Sequence, residues 1–217
     1  MSKKLVSLFL TLALVLACVP VFAEGGVTVT DMTGREITLE GPAAKIVALT
    51  ASDVEIIYAL GAGDLLVGRG EYCDHPAEAL EKPVVKSGAE TNLEEILDLQ
   101  PDVVIMATMA QTEDQVKALE EAGVKVIVSD AQNLEGIYTA ITLIGQVVRK
   151  NDEAAALVKE MQDTFAEIRA KAADSGKTIY FEVSPLEWGL WAAGKGTFMD
   201  ELAGICGLVN AFADVDG

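Results

Sequence analysis

Residues 151–173 hold no proline or glycine, and their apolar side chains follow a helical period. Leu157, Met161, Phe165, Ile168 and Ala172 recur at spacings of four and three, which makes one stripe on a 3.6-residue repeat. Lys159, Glu160, Asp163, Glu167 and Arg169 fill the other faces. Asn151 is a good capping residue, and Asp152 and Glu153 sit where the positive end of the helix dipole favours acids. The pattern predicts one helix of about 30 Å, at about 1.5 Å per residue. Strand-and-helix pattern lies on both sides of it. It is therefore either a rigid strut between two lobes or an ordinary packing helix.

Upstream, residues 27–39 alternate apolar and polar around Asp31-Met-Thr-Gly34, the pattern of a β-hairpin. Short apolar runs follow at 45–49, 65–68, 102–106 and 124–129, of the kind a parallel sheet buries on both faces. Helical stretches separate them. Ser52 with Glu55 opens one that Gly61 and Gly63 end, and Asn92 with Glu95 opens another that Pro101 stops. Thr112 with Gln115 starts a third, closed by Gly123, and Asn133 leads a fourth with Ile137, Ile141 and Ile144 on one face. Such alternation gives an α/β fold with a parallel sheet. Beyond the strut come a strand at 177–183, a loop at 184–196 and a helix from Thr197 or Phe198 to about Cys206. One strand, one helix and a tail do not close a second sheet, so the second lobe reads as truncated. The expected division is a lobe with a leading hairpin at 24–150, the connecting helix at 151–173 and a partial lobe at 174–217.

Residues 1–23 read as a targeting segment, with Lys3 and Lys4 ahead of an apolar run too short to span a bilayer comfortably. Val21-Phe22-Ala23 offers a cleavage site, while Val15-Leu-Ala-Cys18 resembles a lipobox in which Cys18 would carry lipid. The apolar flank after Cys18 is unlike a polar tether and favours cleavage after Ala23, with the Cys18 anchor as the alternative. Either reading exports the protein, to a periplasm or to the outer face of the cell membrane. The 34 acids against 16 bases, a formal charge of −18, repel phosphate backbones and argue against nucleic acid as a partner. Cys73 and Cys206 lie far apart in sequence, weak grounds for a bridge, and no zinc spacing is present.

Gly189-Leu-Trp-Ala-Ala-Gly-Lys195 fits the first seven positions of a phosphate-binding loop, but Gly196 stands where a magnesium-holding Ser or Thr belongs. His75 is the only histidine, next to Asp74 and without a G-x-S-x-G elbow, so it reads as a surface-loop residue and not as part of a triad. Trp188 and Trp191 are more informative. Two tryptophans in one loop after a strand, with Tyr72 in another, are either lobe packing or the wall of a ligand site.

Several motifs in order resemble one family. The hairpin 29–39 leading into Pro42-Ala-Ala-Lys-Ile-Val-Ala-Leu49, then Tyr72-Cys-Asp-His-Pro76, then residues 92–105 and 182–198, is similar to iron-chelate and cobalamin substrate-binding proteins of ABC importers. The resemblance implies two α/β lobes with parallel sheets joined by one long helix, and binding without catalysis. It implies a ligand between the lobes, touched by Thr50, Ser52, Tyr72, Thr108, Glu182, Trp188 and Trp191. It also implies a permease partner, met by Glu94 and by a second acid that would fall beyond Gly217, and a monomeric protein. Cobalamin binders of the family line the cleft with more aromatics than Gly88 and Ala107 provide here. An iron chelate is therefore the expected ligand, with cobalamin or haem as alternatives and an exported enzyme on a similar scaffold as a less favoured one; no resident cofactor or metal is implied.

Overall fold

The computed structural model describes residues 25–108, 113–173 and 175–216; the targeting segment with Cys18, and also Thr112 and Gly217, lie outside the described residues. Five strands form one parallel sheet: β3 (Ile46–Ala48), β4 (Leu66–Gly70), β5 (Val84–Val85), β6 (Val103–Met106) and β7 (Lys125–Val128). Their order is β5-β4-β3-β6-β7. Ile46, Val47, Ala48 and all four residues of β6 are buried, as expected of central strands covered on both faces.

The covers follow from strand alternation. Ile46, Ala48, Val103, Ile105 and Ile127 point to one face, where Val54 and Ile57 of α1 (Ala51–Ala59) and Ile141, Ile144 and Val147 of α4 (Leu134–Val147) meet them. Val47, Leu49, Val104, Met106 and Val126 point to the other, against Ile96 of α2 (Leu93–Asp98) and Leu119 of α3 (Glu113–Glu121). The chain is thus a mixed α/β fold, with helices on both sides of a parallel sheet.

The hairpin of β1 (Val27–Thr30) and β2 (Glu36–Leu39) closes the first of these cores with Val29, Ile37 and Leu39. Its turn is held by one carboxylate. Asp31 accepts from the Thr33 and Arg35 backbone N–H groups at 3.0 Å each, from the Val128 N–H at 3.2 Å, and from the Arg35 guanidinium at 2.8 Å. Burial alone would raise its pKa, but the bonds from the Thr33 hydroxyl at 2.7 Å, the Arg35 side chain and the Arg35 and Val128 N–H groups outweigh it and hold Asp31 below the usual carboxylate value.

The long helix α5 (Asn151–Lys171) follows α4 after a sharp corner. Ala154 is its one buried residue, while Leu157, Val158 and Met161 pack on the core from its N-terminal half. Farther along, Ile168 is exposed. Beyond it, β8 (Thr178–Ile179) pairs in parallel with β9 (Val209–Asn210), and α6 (Phe198–Ile205) lies between them in sequence.

Three expectations need correction. The cap of α1 is Thr50 and not Ser52, and no side chain bonds the helix N-terminus there, because the Thr50 hydroxyl donates to Asp53 instead. Asn151 is the first residue of α5; Lys150 stands at its cap, again without a capping bond. The region after the strut holds a second strand, β9, and its first strand is two residues long where seven are expected, because residues 181–183 turn away to pair with 191–193. Asn92, Asn133 and Thr197, by contrast, each accept the expected backbone N–H.

Candidate ligand-binding site

Parallel strands deliver all their C-terminal ends to one edge of the sheet, and the loops leaving that edge are where side chains from distant sequence converge. After β3 comes Thr50, after β6 Thr108, and after β7 Ser129 and Asp130. These are tied together. Thr50 donates to the Asp53 carboxylate and Thr108 to that of Asp130, and the Gln132 amide donates to Asp130 at 2.9 Å. The Ser129 hydroxyl also bonds Asp53, and Asp130 faces the same carboxylate. Two acids therefore bind three loops into one floor.

Asp53 is fully buried, which pushes its pKa up to about 6; the Thr50 and Ser129 hydroxyls pull it down in part and Asp130 raises it. A second buried polar group lies in β4, near its C-terminal end. Arg69 is 6% exposed and donates to the Gly70 carbonyl at 3.3 Å. Among the described residues, Asp53 Oδ1 and Arg69 Nε are the two buried side-chain polar atoms without a hydrogen-bond partner. Cys73 is buried near both, and its thiol is pushed up to about 11 by that burial. Cys73 and the exposed Cys206 are both free thiols.

The expected site residues do not all meet. Thr50 and Thr108 belong to the floor just described. Ser52 is exposed and faces a different feature, an apolar groove beside α1. Tyr72 is 79% exposed on the loop after β4. Trp188 is 74% exposed and Trp191 63%, and the Trp191 indole donates to the Trp188 carbonyl at 3.1 Å, so the two form one local turn. Glu182 lies opposite Ala192 in the same short pairing. Among the described residues, the aromatic ring pair is Tyr180 with Phe212, with centroids 6.0 Å apart. Trp191 and these two rings line a cavity of about 310 Å³. Glu94 is exposed in the first turn of α2.

Sequence reasoning missed Asp53, Ser129, Asp130 and Arg69. Thr50-x-x-Asp53 was a signal, since that spacing brings the two side chains together at a helix start, and Ser129-Asp130 directly follows a buried strand. Buried Arg69 offers none; its position in a strand of five reads as the end of the run.

Residues 46–216 match the profile of a family described as periplasmic binding protein. The chain belongs to that family. It is 36% identical over 199 residues to an ABC transporter substrate-binding lipoprotein of Bacillus subtilis, covering 88% of this chain and 62% of that one. It is 29% identical over 174 residues to a vitamin B12-binding protein of Vibrio cholerae, covering 80% and 62%. This periplasmic binding protein chain thus spans under two thirds of the length of these curated relatives. A possible iron-binding, periplasmic solute-binding protein of Staphylococcus epidermidis superposes with TM-score 0.68 at 28% identity, over 81% of this chain and 69% of that one. The haem-binding protein of Vibrio cholerae superposes at 0.73 over 80% and 68%; at 24% identity that likeness concerns the fold alone.

Proposed function

We propose that the chain captures a metal chelate outside the membrane and delivers it to the permease of an ABC importer, by binding and not by catalysis. The observation that carries this reading is the floor at the C-terminal edge of the sheet. There Asp53 and Asp130 fix the loops bearing Thr50 and Thr108, the edge at which open α/β sheets receive ligands. Membership of the periplasmic binding protein family and the importer-linked relative in Bacillus subtilis support the transport role. In this reading Tyr72 and the turn holding Glu182, Trp188 and Trp191 supply exposed aromatic surface to the ligand, and Ser52 lies at the margin. Glu94, exposed in the first turn of α2, meets a basic residue of the permease.

An iron chelate is the first candidate ligand, supported by the iron-binding neighbour of Staphylococcus epidermidis and by the scarcity of aromatics at Gly88 and Ala107. Cobalamin is the second, favoured by the vitamin B12-binding relative. Export follows from residues 1–23, with release after Ala23 expected over a lipid anchor on Cys18. The test is tryptophan fluorescence titrated in parallel with a ferric hydroxamate siderophore, cyanocobalamin and haemin. Saturable quenching by the ferric siderophore alone is expected. Quenching by either of the others reassigns the ligand, and none from all three, with no chelate in the mass spectrum of the purified protein, rejects the reading. Glu94→Arg is expected to cut uptake while sparing affinity; unchanged uptake removes Glu94 from docking.

A further inference from the structure

We propose that the groove between α1, α4 and α5 is a docking site for an amphipathic helix of another polypeptide, one with an apolar ridge and a basic flank. The groove encloses about 750 Å³ and shares Ser129, but neither Thr50 nor Thr108, with the floor. Each of its three walls is a row at helical spacing: Ile56 and Ala59 on α1, Ile137 and Ile141 on α4, Leu157 and Met161 on α5. Rows three and four apart are the ridges of a helix surface, and the space between such ridges is complementary to the ridge of a further helix. Helix-in-groove recognition reads the same periodicity, with anchors at i, i+4 and i+7. The fit is also unfinished, because Ala59 is exposed and Ile56, Ile137, Leu157 and Met161 are half-buried while they line it.

Charge selects the occupant. Glu55 and Glu78 line the groove, both exposed, and no lysine or arginine does. A helix with Lys or Arg beside its apolar ridge meets opposite charge there, and an acidic one is repelled. A second copy of this chain, itself at −18, carries the same excess of acids. A small ligand would want polar groups converging in the middle of the cavity to orient it. Here nine of the fifteen lining residues are apolar, which suits an apolar ridge better.

The probe is a fluorescent, hydrocarbon-stapled synthetic helix of about 14 residues with Leu at i, i+4, i+7 and i+11 and Lys on both flanks; its control has Glu for Lys. Polarisation should show the Lys helix binding and the Glu helix binding at least roughly tenfold more weakly. Ala59→Trp fills the groove from an exposed position and should weaken the Lys helix by roughly tenfold or more. The pair Glu55→Lys with Glu78→Lys should reverse the preference, an outcome that a folding defect cannot produce. Equal binding of the two helices, or binding unmoved by Ala59→Trp, overturns the proposal. So does sedimentation showing a dimer of the chain alone that Ala59→Trp abolishes, since the occupant is then a second copy. None of these readouts involves a chelate, so they stand or fall apart from the proposed ligand site.

Discussion

The Asp53 carboxyl makes stability depend on pH in a direction opposite to that of most acids. Its folded pKa of about 6 lies above its ordinary value of 3.8, so the folded state holds the proton more tightly than the unfolded chain. Its contribution is complete below about pH 4 and is lost as pH rises through 6. At about 1.4 kcal/mol per pH unit the loss approaches about 3 kcal/mol. Asp53→Asn keeps an acceptor for the Thr50 and Ser129 hydroxyls and cannot ionise. It is expected to flatten the urea stability curve between pH 4 and 6 and to raise stability at pH 8 by about 1–3 kcal/mol. An unchanged slope in the variant would assign the titration to another group. Asp31 behaves in the ordinary sense: its contribution is present above its unfolded value and is lost as pH falls through its lowered folded value. Under the proposed function Trp188→Ala should weaken chelate binding by roughly tenfold, since about 1.4 kcal/mol is one decade. The ligand-free melting temperature should hardly move, because the ring is 74% exposed. A fall in melting temperature with affinity intact would make Trp188 a packing residue.

At the scale of elements, the decisive contact is the corner between α4 and α5. A Cβ on Gly145 would stand 2.5 Å from the Ala154 Cβ and 3.1 Å from the Lys150 carbonyl oxygen, so only glycine lets the two helices approach. Gly145→Ala should cost about 1–3 kcal/mol by overpacking, although alanine favours helix, and urea unfolding reads it directly. A neutral or stabilising result would show that the corner yields. The sequence displayed much of this architecture and hid some. The buried strands were legible because β3 and β6 are unbroken apolar runs, and the hairpin because it alternates on either side of a glycine turn. Strands β5 and β9 were not, since two residues carry no period. Caps were ambiguous wherever two capping residues stand close, as Thr50 and Ser52 do, and the cap position went to Thr50, whose hydroxyl reaches Asp53 three residues on. The floor of the candidate site was hidden for a related reason. Asp53 reads as the polar face of α1, and only the sheet brings Ser129 and Asp130, more than seventy residues away, against it.

Across the whole molecule, apolar burial is unevenly shared. The five-stranded sheet has two cores of fully buried aliphatic side chains on its two faces. The region after α5 buries far less: Ala193, Ala203 and Ile205 are enclosed, while Tyr180, Val183, Leu186, Trp188, Leu190 and Trp191 are exposed. Its sheet consists of two pairs of residues, Thr178 with Val209 and Ile179 with Asn210. A two-stranded pairing is marginal on its own in water, and local opening follows where buried apolar contact is sparse. What holds the region is mainly α6, whose Glu201 carboxylate accepts the Leu134 N–H at 2.7 Å, and the Asn210 side chain, which donates to the Ala193 carbonyl at 3.0 Å. Hydrogen exchange should therefore separate two tiers in this chain. Amides of β6 and β7 should exchange only through global unfolding, and those of β8 and β9 through a local opening several kcal/mol cheaper, about a hundredfold or more faster. Glu201→Gln weakens this charged acceptor between the tiers and should speed the outer tier while leaving β6 and β7 unchanged. Equal protection in both tiers would mean that the segment beyond α5 and the five-stranded sheet unfold as a single cooperative unit.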